Sequence, residues 1–162
     1  MSQCPVVAAK PMKVASATAK DLRLDRQLCF AVYSAAHAFN RFYKPLLGKL
    51  GLTYPQYLVL LVLWEDDGLT VSAIGERLLL DSGTLTPLLK RLEAMGLVSR
   101  RRGERDERQV MIRLTEKGSG LRSVAESFPA KIHDASDSPG EDVDGLRRRL
   151  VDLREKLDRS VA

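Results

Sequence analysis

The sequence predicts a mainly helical fold with a small β-hairpin, because two different spacings of apolar residues occur along the chain. Most segments have apolar residues every three or four positions, which is typical of helices with one buried face. In residues 109–114, instead, every second residue is a branched aliphatic one, a period of two that is typical of a strand. The length of 162 residues suits one domain with its own core. We therefore expect a disordered tail at 1–20 and a single domain at 21–162.

Composition restricts the class of protein only loosely. Hydrophobic residues make up 44% of the chain and charged residues 29%, as in an ordinary globular protein. The 26 Lys and Arg residues outnumber the 21 Asp and Glu residues, which gives a net charge of +5. Such a charge permits binding to nucleic acid, to an anionic membrane surface or to an acidic partner.

Two cysteines, Cys4 and Cys29, are too few for a disulfide scaffold or a four-thiolate zinc site. His37 and His133 are not spaced as metal ligands, so we expect neither a metal nor another cofactor. The longest apolar run, 57–64, is far shorter than the roughly 20 residues of a membrane span. Without a recognisable signal peptide, the protein is expected to be cytoplasmic and its thiols reduced.

The first ordered element is predicted to be a long amphipathic helix at 24–50. Its apolar residues fall at helical spacings from Leu24 to Leu50. Asp25 is the expected N-cap, and Pro45 marks an expected kink or break near the far end.

A second helix is expected to begin at 53–55, since Pro55 suits a first turn, and to end at 66–68. Thr70 is then expected to cap a short helix at 71–79.

A turn at 81–84 is expected to separate that short helix from a further helix at 85–95. Ser82 or Thr84 is the expected cap of this helix. Pro87 then falls in its first turn, where proline is tolerated.

A charged hairpin is predicted after this helix. Its strands lie at 97–100 and 110–114, and its tip lies at 103–108. Thr115 is expected to cap another helix, which ends near Pro129.

This order of elements predicts a winged helix-turn-helix lobe at 55–114, between long helices at 24–50 and 115–162. The last helix has a heptad-like apolar stripe, which suits pairing between helices. The residues of this stripe are Val143, Leu146, Leu150, Leu153 and Leu157. One lobe cannot cover so much apolar surface, so we expect the flanking helices to form a homodimer with a second copy.

The helix at 85–95 and the turn before it have the composition of a DNA recognition helix. Such a helix needs small polar residues near its N-terminus to reach base edges, and basic residues to hold phosphates. The small residues are Ser82, Gly83, Thr84 and Thr86, and the basic residues are Lys90 and Arg91. Double-stranded DNA with an inverted-repeat operator is the expected partner.

The hairpin adds a second set of basic residues. These are Arg100, Arg101, Arg102, Arg105 and Arg108. An arginine at a wing tip can enter a minor groove, and Asp106 is placed to hold the guanidinium of Arg108. The alternative is a merely solvated hairpin, which the helix-turn-helix pattern directly upstream makes the weaker hypothesis.

Residues 79–84 match the active-site pattern of aspartic proteases, but helices are predicted on both sides of them. Aspartic protease chemistry needs two such carboxylates on loops of an all-β dimer. A turn between two helices explains this segment better.

Cys29 lies near the start of the first helix, where the helix dipole favours a thiolate, and Tyr33 lies one turn further on. A thiolate in this position could attack a peroxide and become a sulfenic acid. A structural cysteine on an apolar helix face is the alternative that residue spacing alone favours.

Several motifs resemble those of known repressors. The wing and the residues after it, 106–108, 110–115 and Gly118, resemble the MarR family of dimeric repressors. Five further segments resemble the organic-hydroperoxide-sensing, OhrR-type branch of that family: 28–30, 43–47, 52–57, 63–65 and 80–91.

This resemblance implies that Cys29 senses peroxide and that Tyr33, Tyr43 and Tyr54 surround it, Tyr43 and Tyr54 arriving from the other subunit. It also implies release of DNA on oxidation. No cysteine follows Cys29, so the chain resembles the one-cysteine type, in which a low-molecular-weight thiol caps the sulfenic acid or overoxidation follows. Cys4 is an alternative resolving thiol.

The leading hypothesis is therefore a transcriptional repressor that releases its operator when an organic hydroperoxide oxidises Cys29. The alternative is a MarR-type regulator released by a small aromatic ligand, with Cys29 structural. A thiol peroxidase is a third hypothesis, but a basic winged helix is not needed by an enzyme, and we expect the protein not to be one.

Overall fold

The structure is a computed structural model that describes residues 22–102, 109–136 and 142–161. The predictions for the tail at 1–20, which contains Cys4, and for the wing tip with Asp106 and Arg108 lie outside the described residues. The chain falls into two compact units, of which the first ends at Tyr43 and the second begins at Lys44.

A short 3-10 helix, Leu24–Arg26, precedes helix α1, Leu28–Gly48, and the first unit contains both as far as Tyr43. Gln27 has an extended backbone between them, with φ −83° and ψ 119°. The predicted N-cap at Asp25 is therefore wrong, because Asp25 lies within the 3-10 helix and α1 begins after this extended residue. Of the kink or break predicted at Pro45, the break is absent, since α1 continues to Gly48 with Pro45 inside the helix.

The second unit contains the end of α1 and all later elements. These are α2 (Tyr54–Glu65), β1 (Leu69–Thr70), α3 (Val71–Leu78), α4 (Ser82–Ala94), β2 (Val98–Arg102), β3 (Val110–Leu114), α5 (Glu116–Ala125), α6 (Phe128–Ser136) and α7 (Val143–Val161). The mainly helical class with a hairpin is confirmed.

The strands form one antiparallel sheet in the order β1-β3-β2. In the hairpin, Val98 faces Leu114 and Arg102 faces Val110. Strand β1 was not predicted, because a two-residue strand is too short to show a period.

A threonine stands at the N-cap of three helices. The Thr53 backbone N–H donates to Gln56 Oε1 at 2.8 Å at the start of α2. Thr70 Oγ1 accepts from the Ala73 N–H at 3.1 Å, and Thr115 Oγ1 accepts from the Gly118 N–H at 3.1 Å. The predicted caps of α3 and α5 are thus confirmed.

Helix α4 begins earlier than predicted. Asp81, rather than Ser82 or Thr84, is its N-cap, so the predicted turn residues form its first turn. Pro87 consequently lies inside the helix and not in its first turn. A carboxylate accepts hydrogen bonds at this end of a helix better than the expected hydroxyls, because it also interacts favourably with the helix dipole.

The single helix predicted after Thr115 is in fact two helices. Helix α5 ends at Ala125, and α6 begins at Phe128 with Pro129 in its first turn. Proline is favoured in a first turn because its missing N–H would have no partner there, so Pro129 marks a beginning where we predicted an end.

The core of the second unit is apolar and tightly closed. Its side chains that are less than 2% exposed are Leu47, Val59, Leu60, Leu63, Ile74, Leu85, Leu89, Leu92, Leu97 and Ile112. They come from the end of α1, from α2, α3 and α4, from the turn before β2 and from β3, so the helix-turn-helix is packed against the rest of this unit. Among the helices of the described residues, none combines the length and the apolar character that crossing a membrane requires.

Candidate nucleic-acid interface and thiol

The N-terminal end of α4 is held by Asp81. Its Oδ1 accepts from the Thr84 N–H and its Oδ2 from the Thr84 hydroxyl, both at 2.9 Å. The Thr84 N–H first, and then its hydroxyl, keep the pKa of the Asp81 carboxyl below its ordinary value. Asp81 therefore stabilises this end of α4 at neutral pH, and the contribution is lost only as the pH falls through the lowered pKa.

The predicted DNA-contacting residues of α4 share its outer surface. Leu85, Leu89 and Leu92 face the core. Thr86 is half-buried, and the exposed members of the predicted set are Ser82, Gly83, Thr84, Lys90 and Arg91. Ser82, Thr86 and Lys90 follow one another at spacings of four residues and so lie on one line of the helix surface. Thr84 and Arg91, seven residues apart, lie on a second line, so both lines have a small residue near the N-terminus and a cation near the C-terminus.

The wing places its arginines in two different environments. Arg101 and Arg102 are exposed. The side chain of Arg100 is only 25% exposed, and its Nη1 lies 3.9 Å from Oε2 of Glu93 on α4. Sequence alone does not predict this difference, because all three residues belong to one run of arginines.

The base of the wing is fixed by polar contacts that sequence reasoning did not find. Asp67 Oδ1 accepts from the Leu114 N–H at 2.8 Å and so ties the β1 end of the sheet to β3. Thr115 Oγ1 donates to the Gly96 carbonyl at 2.7 Å, and Lys117 Nζ donates to the Met95 carbonyl at 2.9 Å. These donors satisfy carbonyls at the end of α4, where helices leave them without partners.

Gly118 explains why α5 approaches this turn so closely. A Cβ at this position would lie 2.0 Å from the Leu97 carbonyl oxygen, which no side chain can occupy. The Gly118 carbonyl in turn accepts from Trp64 Nε1 at 3.0 Å. Helix α4, the sheet, α5 and α2 thereby meet at one packed joint.

Cys29 is exposed and is the second residue of α1. Tyr33 lies one turn further along the same helix and is 60% exposed. The Tyr33 ring lies between the rings of Phe30, at a centroid distance of 6.4 Å, and His37, at 4.3 Å. Within a single chain, therefore, Cys29 is not the buried structural cysteine of the alternative hypothesis.

Tyr43 lies on the same helix as Cys29 but fourteen residues further on, which is about 21 Å along the axis at 1.5 Å per residue. Tyr43 is 9% exposed. One chain therefore cannot bring its own Tyr43 to its own Cys29.

Tyr54 is the first residue of α2 and packs near Tyr57, with a ring-centroid distance of 6.3 Å. Burial raises the pKa of the Tyr54 phenol above its ordinary value. Burial first, and then the neighbouring Tyr54, also raise the pKa of Tyr57. These phenols stay protonated at neutral pH and keep a proton that can be donated in a hydrogen bond.

Helices α1 and α7 each expose an apolar stripe. On α1, Leu28 is 63% and Phe39 43% exposed; on α7, Leu146 is 54% and Leu157 58% exposed.

Within the described ranges, no group of His, Cys, Asp and Glu side chains is arranged to hold a metal ion.

A helix-turn-helix followed by a two-stranded wing, with cations on the second helix, defines a winged-helix DNA-binding protein. A family model described as "Transcriptional regulator SarA/Rot" matches residues 41–123. The chain thus belongs to the SarA/Rot and MarR type of winged-helix transcriptional regulators.

Two relatives are similar over most of their length. The HTH-type transcriptional regulator TtmR of Methylorubrum extorquens (strain PA1) is 53% identical over 157 residues, which cover 96% of this chain and 80% of the relative. The organic hydroperoxide resistance transcriptional regulator of Bacillus subtilis (strain 168) is 51% identical over 136 residues, covering 84% and 92% respectively.

Solved structures of AbfR are also similar to this chain. Reduced AbfR bound to DNA has a TM-score of 0.73 and 38% identity, covering 87% of this chain and 96% of AbfR. Overoxidized AbfR bound to DNA has a TM-score of 0.74 and 38% identity over the same shares. The predicted family and the DNA-binding regulatory role are confirmed.

Proposed function

We propose that this regulator is a homodimeric repressor that releases its operator when an organic hydroperoxide oxidises Cys29. The observation that carries the proposal is the exposed Cys29 in the first turn of α1, beside Tyr33. The 51% identity with a regulator of organic hydroperoxide resistance supports the same chemistry.

In the proposed step, the Cys29 thiolate attacks one oxygen of the hydroperoxide O–O bond. A sulfur–oxygen bond forms and the O–O bond breaks, so the sulfur becomes a sulfenic acid and the peroxide leaves as an alkoxide that takes up a proton. A low-molecular-weight thiol then displaces hydroxide from the sulfenic acid, which gives a mixed disulfide and water.

The proposed site needs two subunits. Tyr43 of the same chain is about 21 Å from Cys29 along α1, so a phenol from this position has to come from a second copy. The phenol of Tyr54 is protonated at neutral pH, and burial raises its pKa further, so it has a proton that it can donate to a thiolate. The exposed stripes of α1 and α7 supply apolar surface for the second copy.

In the reduced dimer, the two copies of α4 enter successive major grooves of an inverted repeat, about one helical turn apart. The small residues at its N-terminal end lie at base edges there, while Lys90 and Arg91 hold phosphates. These small residues are Ser82, Gly83, Thr84 and Thr86. Arg108 enters the minor groove and Asp106 holds its guanidinium; both lie outside the described residues. Bulk or charge added at Cys29 disturbs the contacts between subunits and changes the separation of the two lobes.

The test measures operator binding before and after cumene hydroperoxide, for the unmodified chain and for two single cysteine variants. Cys29→Ser is expected to bind the operator and to keep it in peroxide. Cys4→Ser is the matched control and is expected to release DNA like the unmodified chain. Normal release by Cys29→Ser would refute the proposal.

A second candidate function is release by a small aromatic ligand, and a groove of about 460 Å³ between α2 and α5 favours it. Tyr57, Trp64 and Arg122 line this groove. Glu65 and Glu126 also line it, and Glu126 pairs with Arg122 at 3.6 Å, so the groove suits a neutral phenol better than an aromatic anion. If this second function is correct, a phenol releases the operator from the Cys29→Ser variant, and peroxide has no effect on operator binding by the unmodified chain.

A further inference from the structure

Arg100 is placed differently from the arginines that follow it on β2. Alternate residues of a strand lie on the same face, so Arg100 shares the face of Val98, which is 2% exposed. Strand β2 contacts α4, and the Arg100 side chain lies near Glu93 of that helix. Arg101, on the opposite face, is exposed.

The guanidinium of Arg100 is directed at the end of α4. Its Nη1 lies 3.9 Å from Oε2 of Glu93, the next-to-last residue of that helix. Its Nε is buried, and no atom of the described residues accepts its proton. An unpaired buried donor lowers stability, so the packing of the lobe alone does not account for an arginine here.

We propose that Arg100 is a positioning residue that joins the base of the wing to the end of the recognition helix through Glu93. The two elements then meet the duplex at a fixed separation, and Arg100 itself holds no phosphate. The inference rests on the proposed DNA interface of α4 and the wing.

The two roles that Arg100 could play differ in their salt dependence. Affinity for DNA falls as salt rises, and the loss of one phosphate contact makes the slope of log affinity against log salt shallower by about 0.9. Loss of a positioning contact lowers the affinity for the correct sequence and leaves the slope unchanged, because no counterion release is lost.

Glu93 separates the two roles by the sign of the effect. If its charge acted only on DNA, Glu93→Gln would remove a repulsion from the polyanion and tighten binding to any duplex. If Glu93 holds Arg100, the same variant weakens binding to the correct sequence.

The experiment measures binding to two duplexes of equal length over a range of salt concentrations. One duplex is selected from a random pool by the unmodified protein, and the other is its scrambled counterpart. Arg100→Gln and Glu93→Gln are each expected to weaken binding to the selected duplex about threefold to tenfold, with an unchanged salt slope and no weakening on the scrambled duplex. Arg101→Gln is the matched control and should make the salt slope shallower by about 0.9 per subunit.

The charge-swapped double variant, Glu93→Arg with Arg100→Glu, is expected to recover part of the affinity for the selected duplex that Arg100→Glu alone removes. It also keeps the test valid if Arg100→Gln does not fold. A salt slope that becomes as shallow in Arg100→Gln as in Arg101→Gln would overturn the inference. Tighter binding of Glu93→Gln to both duplexes would also overturn it. An unchanged affinity in Lys90→Gln would instead refute the DNA interface itself.

Discussion

The helix-turn-helix lobe and the outer faces of α1 and α7 have the same kind of apolar stripe but opposite burial. In the lobe, Ile74, Leu85 and Leu92 are completely buried by their own chain. On α1 and α7, Leu28 and Leu157 remain more than half exposed. The lobe is therefore complete within one chain, whereas the long helices have apolar faces that only another surface can cover.

This difference assigns separate tasks to the two regions. A lobe that packs by itself can present α4 and the wing as one body. In the proposed dimer, the faces of α1 and α7 transmit a chemical change at Cys29, because bulk added there acts on the proposed contacts between the two chains. The predictions that follow test this contrast.

The largest effect is expected from a cavity in the lobe. Leu89→Ala removes a side chain that is 1% exposed and should lower the free energy of unfolding by about 2–5 kcal/mol. Urea denaturation measures this loss. A loss below about 1 kcal/mol would show that the lobe is not packed as described.

The second prediction concerns the stripe of α7. Leu150→Glu places a charge where an apolar contact between copies is proposed, and it should raise the dimer dissociation constant by about 10²-fold or more. Analytical ultracentrifugation measures the association. Arg149→Glu is the control, because it changes the charge of an exposed neighbour on the same helix without touching the stripe. Equal effects of the two variants would remove α7 from the proposed interface.

The third prediction concerns phosphate binding by the lobe. Lys90→Gln should weaken binding to all duplexes and lower the salt slope by about one unit for each subunit. Lys131→Gln on α6 provides a control that removes the same charge from outside the predicted set. If both variants lower the slope equally, the contribution of Lys90 is general charge and not a contact.

The smallest effect is expected at Leu79. Its backbone is left-handed, with φ 56°, and its side chain is 63% exposed, so an apolar residue has an unfavourable conformation without burial in return. Leu79→Gly should raise the free energy of unfolding by about 0.5–1 kcal/mol. A loss of stability would show that the Leu79 side chain makes contacts that outweigh its backbone strain.

The sequence predicted best those features that depend on short-range rules. Thr70 and Thr115 cap α3 and α5 because the side-chain oxygen of a residue just before a helix reaches N–H groups that lack partners. The stripe of Leu85, Leu89 and Leu92 follows in the same way from helical periodicity.

Features that depend on tertiary contacts were missed. Strand β1 exists because Leu69 pairs with Ile112, more than forty residues away. Arg100 has no sequence signal that separates it from Arg101, because the difference lies in which face of β2 contacts α4. Periodicity also shows that a face of α1 is apolar and cannot show whether the same chain or a second copy covers it.

The most direct test of the account compares protein that stays on DNA with protein that leaves it. The operator complex is treated with less than one equivalent of cumene hydroperoxide, and the bound and free fractions are separated and analysed by intact mass and peptide mapping. The account predicts that Cys29 is modified in the free fraction, by oxygen or by the low-molecular-weight thiol supplied, and unmodified in the bound fraction. Identical modification of Cys29 in the two fractions, or a free fraction in which Cys29 is still reduced, would contradict it.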